Sequence, residues 1–284
     1  DIKTLFQRPY MRGIAFMVFA LALVSTVMNL QVYAQIDDAM AHKNYQAIYQ
    51  DWDPQGNYFE AVRDLRGKSK TEAHQVFERL SAEANTGTPA LTPENLEKRY
   101  ATYQSELEGE TRKLFSNVYF WQGILGIILL GVVARFLFQY VGLSWSTILL
   151  PGFFVIVLIA LFFPLETLLL QGILIGAGAL NYSLNNATKE LLYTPTTAQA
   201  RYQHKPLIEG PIMRLGDVSA SVFKIAMTSG LVGAAVLSQQ LQSRILLGMA
   251  LLASVIWILL IWYTGRQYDK NQKSEQKSRE LDLA

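Results

Sequence analysis

Five polar side chains interrupt runs of sequence that are otherwise apolar: Asn29, Gln31, Gln171, Asn181 and Lys224. Their amides and ammonium can hydrogen-bond across packed helices or grip a polar solute, and their cost in an apolar medium makes each a candidate for function. Lys224 lies seven residues into its run, close enough to one end to snorkel toward water. Nothing nearby supplies a reacting group. Cysteine is absent, and the three histidines His42, His74 and His204 stand far apart without metal-ligand spacing. No HExxH, GxSxG, GxxxxGK[ST] or GxGxxG segment occurs. The sequence therefore predicts no catalytic residue, metal or cofactor, and no nucleic-acid partner.

The elements that carry these groups are long and apolar. Of 284 residues, 51% are hydrophobic and 17% charged, too apolar for an ordinary soluble domain. Runs near the roughly 20 residues that cross a bilayer's hydrocarbon core are Gly13 to Val32, Val118 to Ala134, Trp145 to Phe163, Leu165 to Leu184, Val218 to Leu237 and Ile245 to Tyr263. The third and fourth meet at Phe162-Phe163-Pro164-Leu165-Glu166, where proline limits the helix and a carboxylate favours the water interface. This predicts a tight hairpin. One kinked helix of about 40 residues would reach twice the core thickness.

The expected fold class is all-α and membrane-embedded, with six spans and one polar helical insertion. Residues 1–35 form the first span with its cytoplasmic lead, 36–115 the insertion, 116–264 five further spans, and 265–284 a charged cytoplasmic tail. Orientation follows from cations in the short connections: Lys3, Arg8 and Arg12, then Arg135, then Lys189, Arg201, Lys205 and Arg214, then the tail. Both termini are expected in the cytoplasm, with the insertion outside, in a bacterial inner membrane or its equivalent. Ile36 to Phe115 holds 10 Lys and Arg against 14 Asp and Glu, and the remainder holds 15 against 9. The basic start, apolar run and Val32-Tyr33-Ala34 also fit a secretory signal, which would leave five spans. That run is longer than a usual signal core.

Within the insertion, Ala73, Val76, Phe77, Leu80 and Ala84 recur at helical spacing between Thr71 and Gly87. A second helix is expected from Thr92-Pro93, with Leu96, Tyr100, Tyr103, Leu107 and Leu114 on one stripe, running straight into the second span. Trp52-Asp53-Pro54-Gln55-Gly56-Asn57 reads as a turn. Gly172-x-x-x-Gly176 and Gly230-x-x-Gly233 read as close helix contacts.

Tyr182-Ser183-Leu184, Thr188-Lys189-Glu190 and Tyr193-Thr194-Pro195 together resemble the segment after the tenth helix of ATP/ADP translocase-type nucleotide transporters, members of the major facilitator superfamily. Arg8-Pro9-Tyr10-Met11-Arg12 resembles the start of that family's seventh helix. Phe115 to Gly123 resembles the start of its eighth, and Ala134-Arg135-Phe136 with Gly142 the loop that follows. The resemblance covers the six spans and omits the insertion. It implies the C-terminal half of a transporter, a second six-helix half from upstream sequence or another chain, and a central cavity candidate set of Gln31, Asn181, Lys224 and Asp217. Arg135, Lys189, Glu190 and Arg214 become cytoplasmic gate candidates. The family's transport glutamate aligns with Gln31, and the lysine of its Leu-Gly-Lys segment with Asp217 of Leu215-Gly216-Asp217. A carboxylate there repels phosphate, so ATP/ADP exchange is not expected. A competing expectation is a scaffold subunit that no longer transports and whose insertion docks a partner protein.

Overall fold

The computed structural model describes residues 2–84, 92–196, 198–228 and 238–282, and among these it is helical without a strand. Ten helices are used below: α1 (Ile2–Gln7), α2 (Pro9–Tyr49), α3 (Phe59–Arg63), α4 (Lys70–Ala84), α5 (Pro93–Val141), α6 (Leu143–Ala160), α7 (Thr167–Tyr193), α8 (Ala198–Leu207), α9 (Met213–Thr228) and α10 (Gln239–Asp282). Two compact units emerge, one of residues 1–33 with 119–284 and one of residues 34–118.

Among the described residues four helices are long and apolar enough to cross a bilayer: Pro9–Tyr49, Pro93–Val141, Thr167–Tyr193 and Gln240–Gln267 within α10. This is a membrane protein. The third expected span forms a shorter apolar helix, Trp145–Ala160, and the fifth is described only through Thr228. Pro9 starts α2 at the position where a missing N–H costs nothing. The helix then runs through Val32-Tyr33-Ala34 without a break.

The expected hairpin between the third and fourth runs forms. Turns close Phe162 N–H on the Ile159 carbonyl and Phe163 N–H on Ala160, and α7 begins beyond Pro164 with extended backbone at Glu166. Helices α6 and α7 pack on each other. At the other end of α6, Gly142 adopts φ 84°, a left-handed conformation that ends α5. Ser146 Oγ returns to the Gly142 carbonyl at 2.7 Å.

The connection between the fourth and fifth spans, which carries Lys189 to Arg214, is mostly helical. Helix α7 continues to Tyr193, and α8 passes through a π-helical turn, Ile208–Ile212, into α9, placing Arg214 on a helix. Pro211 sits inside that turn, where the widened hydrogen-bond ladder tolerates a residue without an N–H. Similar turns occupy Leu129–Val133 and Leu137–Val141 within α5 and Asn181–Asn185 within α7.

The smaller unit has a core of its own. Tyr45, Tyr49, Trp52, Phe59, Val62, Leu65, Phe77, Leu80 and Leu96 are all buried. Asp53, 5% exposed, accepts from the Tyr45 hydroxyl at 2.7 Å, the Asn57 N–H at 3.0 Å and the Tyr58 N–H at 2.8 Å. One carboxylate thus holds the turn after α2, and Gly56 supplies its positive φ of 73°. Helix α4 starts earlier than Thr71. Ser69 and Glu72 form a reciprocal cap, the Ser69 N–H donating to Glu72 at 2.9 Å and the Glu72 N–H to Ser69 Oγ at 3.3 Å. The Gly87 stop lies outside the described residues. Pro93 begins α5, with the Asn95 N–H reaching Thr92 Oγ1 at 3.4 Å. Around the core run Arg63–Asp38, Arg66–Asp37, Lys43–Glu110 and Arg99–Asp51 ion pairs.

Candidate functional site

The strongest candidate is a set of polar contacts along α2 in the larger unit. Close packing comes first, because it decides which side chains can meet. A Cβ on Gly216 would lie 2.6 Å from the Phe19 carbonyl oxygen and 2.8 Å from Ala22 Cβ, so only glycine allows α9 this close to α2. Asp217 then reaches Thr26, whose Oγ1 donates at 2.8 Å, while Arg214 pairs with the other carboxylate oxygen at 3.4 Å. Five residues along α2, about 7.5 Å at 1.5 Å per residue, Gln31 is 5% exposed and accepts from Ser243 Oγ at 3.1 Å.

Gln31 and Asp217 thus hold α10 and α9 to α2. Two other candidates lie elsewhere. Asn181 stands in the π-helical turn of α7 and accepts from the Asn185 amide at 2.9 Å. Lys224 is half-buried on α9. A further amide went unread in the sequence: a Cβ on Gly178 would fall 2.2 Å from Gln122 Cδ, so the missing side chain of α7 makes room for the Gln122 amide of α5.

Of the gate candidates, Lys189 and Glu190 share one neighbourhood. Glu190 pairs with Lys205 of α8, whose ammonium also stands 5.6 Å from the centre of the buried Tyr193 ring. Tyr10 of α2 donates its hydroxyl to the Leu192 carbonyl at 2.5 Å, tying the end of α7 to the start of α2. His204 is 2% exposed, and burial with the nearby Arg8 charge pushes its imidazole down, toward the neutral form. Arg135 is exposed on α5, and Arg214 belongs with Asp217 rather than with Lys189.

Hydrogen bonds and ion pairs are the chemistry available to these groups. Among the described residues no group of three His, Asp or Glu side chains could hold a metal ion. In the smaller unit a shallow pocket of about 630 Å³ is lined by Ala47, Ile48, Gln50, Asp51, Lys98, Arg99 and Thr102. Arg99 is already engaged there, by both Asp51 oxygens at 2.6 and 2.7 Å and the Ile48 carbonyl at 2.8 Å, and it holds the Asp51 carboxyl below its usual range.

Thr26, Ser243, Gln122 and the glycines at 178 and 216 are the contact residues that sequence reasoning missed. A hydroxyl in an apolar helix can satisfy itself on its own backbone, as Ser254 does on the Ala250 carbonyl at 2.8 Å, so it announces no partner. Compared with protein-family models, curated proteins and solved structures, the chain matches none.

Proposed function

We propose that this chain is one six-helix half of a major facilitator-like membrane transporter, related to ATP/ADP translocases but not exchanging ATP for ADP. The observation that carries the reading is the contrast between two spans. In the most apolar stretch of α2, 61% of residues are buried; in that of α5, only 6% are. A helix at the centre of its bundle beside one at the margin is what half of a two-part transporter presents before its second half is added. Both termini lie in the cytoplasm of a bacterial inner membrane or its equivalent, and residues 36–115 lie outside. Gln31, Asn181, Lys224 and Asp217 face the solute pathway, and Lys189, Glu190, Arg135 and Arg214 serve its cytoplasmic gate.

Discrimination against nucleotides follows from charge. Phosphate placed about 4 Å from the Asp217 carboxylate costs on the order of 4 kcal/mol at an effective dielectric of 20, around a thousandfold in affinity. Vesicles loaded with ADP and presented with labelled ATP are expected to show no counter-exchange. Purification in mild detergent is expected to bring a second six-span bundle with this one. Cysteines at Ser81 and Ser274, in this cysteine-free chain, are expected to react with an impermeant reagent from opposite sides.

A scaffold that no longer transports, with the insertion docking a partner protein, is the second reading, favoured by the engagement of Gln31 and Asp217 in helix contacts. A stable lone bundle with no second half in its native complex would replace the first reading with the second.

A further inference from the structure

Where α2 begins and the apolar part of α10 ends, cations and aromatic rings collect. A Cβ on Gly13 would touch Thr264 Oγ1 at 2.6 Å, so the two helices are in contact at this level. Arg8 and Arg12 stand one turn apart at the start of α2, both exposed, with the Arg12 N–H bonded to the Arg8 carbonyl at 3.0 Å. Two residues beyond Thr264, the Arg266 guanidinium lies 3.7 Å above the centre of the Trp262 ring. Phe6 of α1 meets Phe16 of α2 edge to face at 6.0 Å, and both rings remain 40% or more exposed. None of the three arginines has a carboxylate partner among the described residues.

We infer that this patch binds the phosphate headgroup of an anionic phospholipid. Guanidinium presents a planar fork of donors that matches phosphate oxygens, and stacking on Trp262 fixes the plane of Arg266 while leaving its edge open. Exposed phenylalanine and tryptophan beside free cations suit the boundary between headgroups and acyl chains, where the rings meet carbon and the charges meet phosphate. An ordinary protein partner would have to desolvate three unpaired cations. A bilayer surface supplies counter-charge and apolar contact together. The inference rests on the chain being a membrane protein and is independent of transport.

Native mass spectrometry of the full chain in mild detergent, offered equal phosphatidylglycerol and phosphatidylcholine, tests it. Preferential retention of phosphatidylglycerol is expected, falling about fivefold for each of Arg8→Gln, Arg12→Gln and Arg266→Gln and declining as salt rises. Trp262→Leu is expected to weaken retention through Arg266 alone, so that its effect vanishes in the Arg266→Gln background. Circular dichroism shows whether each single variant keeps its helices, and Arg8→Gln and Arg12→Gln serve if Arg266→Gln does not. Equal retention of the two lipids, unchanged preference in a folded Arg variant, or displacement of phosphatidylglycerol by millimolar inorganic phosphate would each overturn the proposal.

Discussion

The two units of this molecule handle their polar groups in opposite ways. In the smaller unit most cations and carboxylates sit at or near the surface and pair there, as Arg63 does with Asp38 and Lys43 with Glu110, while aromatic rings and the bonded carboxylate of Asp53 fill the middle. The larger unit instead exposes large apolar side chains, Ile127, Leu168 and Leu252 each by about two-thirds or more, and turns Gln31 inward. Helix α2 obeys both rules within a few residues: Gln31 bonds a neighbouring helix, whereas Asp37 pairs with exposed Arg66 and Asp38 with half-buried Arg63. Solvent, rather than helix propensity, sets where the polar groups of one continuous helix go. Water lets a charge rest at the surface, but hydrocarbon leaves it only other protein groups.

If close helix packing carries the larger unit, glycines that look alike in sequence must differ sharply on substitution. Gly216→Leu drives side-chain atoms into the Phe19 backbone and is expected to cost about 3 kcal/mol, lowering Tm in detergent by about 6–12 °C. At Gly172 an added Cβ meets nothing within 4 Å, and Gly172→Leu is expected to leave Tm nearly unchanged. Equal effects at the two positions would show that α9 is not wedged against α2.

The smaller unit invites the complementary experiment, removal of a polar group from a core that water surrounds. Asp53→Ala strands the Tyr45 hydroxyl and two backbone N–H groups. A loss of about 2–3 kcal/mol is expected, read as faster proteolysis of residues 34–118 while the membrane helices remain protected. Asp53→Asn keeps one acceptor oxygen and is expected to lose less. Protection unchanged in the alanine variant would mean that the rings alone hold this turn.

How much of this was legible beforehand varies with the range of the interaction. Local signals read well: Pro93 starts α5, Pro164 marks the break after α6, and of the expected stripe Leu96, Tyr103, Leu107 and Leu114 are buried and Tyr100 is half-buried. The start of α4 was misplaced because the reciprocal cap of Ser69 and Glu72 was overlooked in favour of Thr71. Polar residues in spans stood out as candidates for a bond or a solute, yet their partners did not, since Thr26 and Ser243 look no different from hydroxyls bonded to their own helix. The Gly172-x-x-x-Gly176 pattern misled in part. Gly176 faces the Phe153 ring at 3.2 Å and Gly172 faces open space, while the tightest approaches among the described residues fall at Gly178, Gly13 and Gly216. Which glycine matters depends on what the neighbouring helix brings, and one sequence carries no record of that.

Smaller effects separate packing from function in the larger unit. Thr26→Val and Gln31→Leu each remove one interhelical bond and are expected to cost about 0.6 kcal/mol, the usual worth of such a bond between membrane helices. A double-mutant cycle between Thr26→Val and Asp217→Ala should return a coupling of similar size. No measurable coupling would free Asp217 from its structural duty and leave its carboxylate available to a solute.

The slightest effect should come from the exposed histidine of the smaller unit, where water screens every charge. His74 Nδ1 stands 2.6 Å from Glu97 on α5 and its Nε2 3.4 Å from Glu78 one turn along α4. The hydrogen bond with Glu97, reinforced by the charges of both carboxylates, raises the imidazole above its ordinary 6.5. Protonation and the folded state therefore favour each other. The contribution is fully present below the unfolded value and disappears as pH climbs through the raised folded one. Because the ring is open to solvent, high salt should erase much of the shift. Imidazole NMR of the full chain is expected to give His74 a midpoint above 6.5 that moves down in Glu97→Gln, while His204, buried beside Arg8, titrates below that value. A His74 midpoint at or below 6.5 would mean that the link between α4 and α5 rests on Phe77 and Tyr100, whose rings lie 5.7 Å apart, and that the paired charges of the smaller unit decorate its core without fastening it.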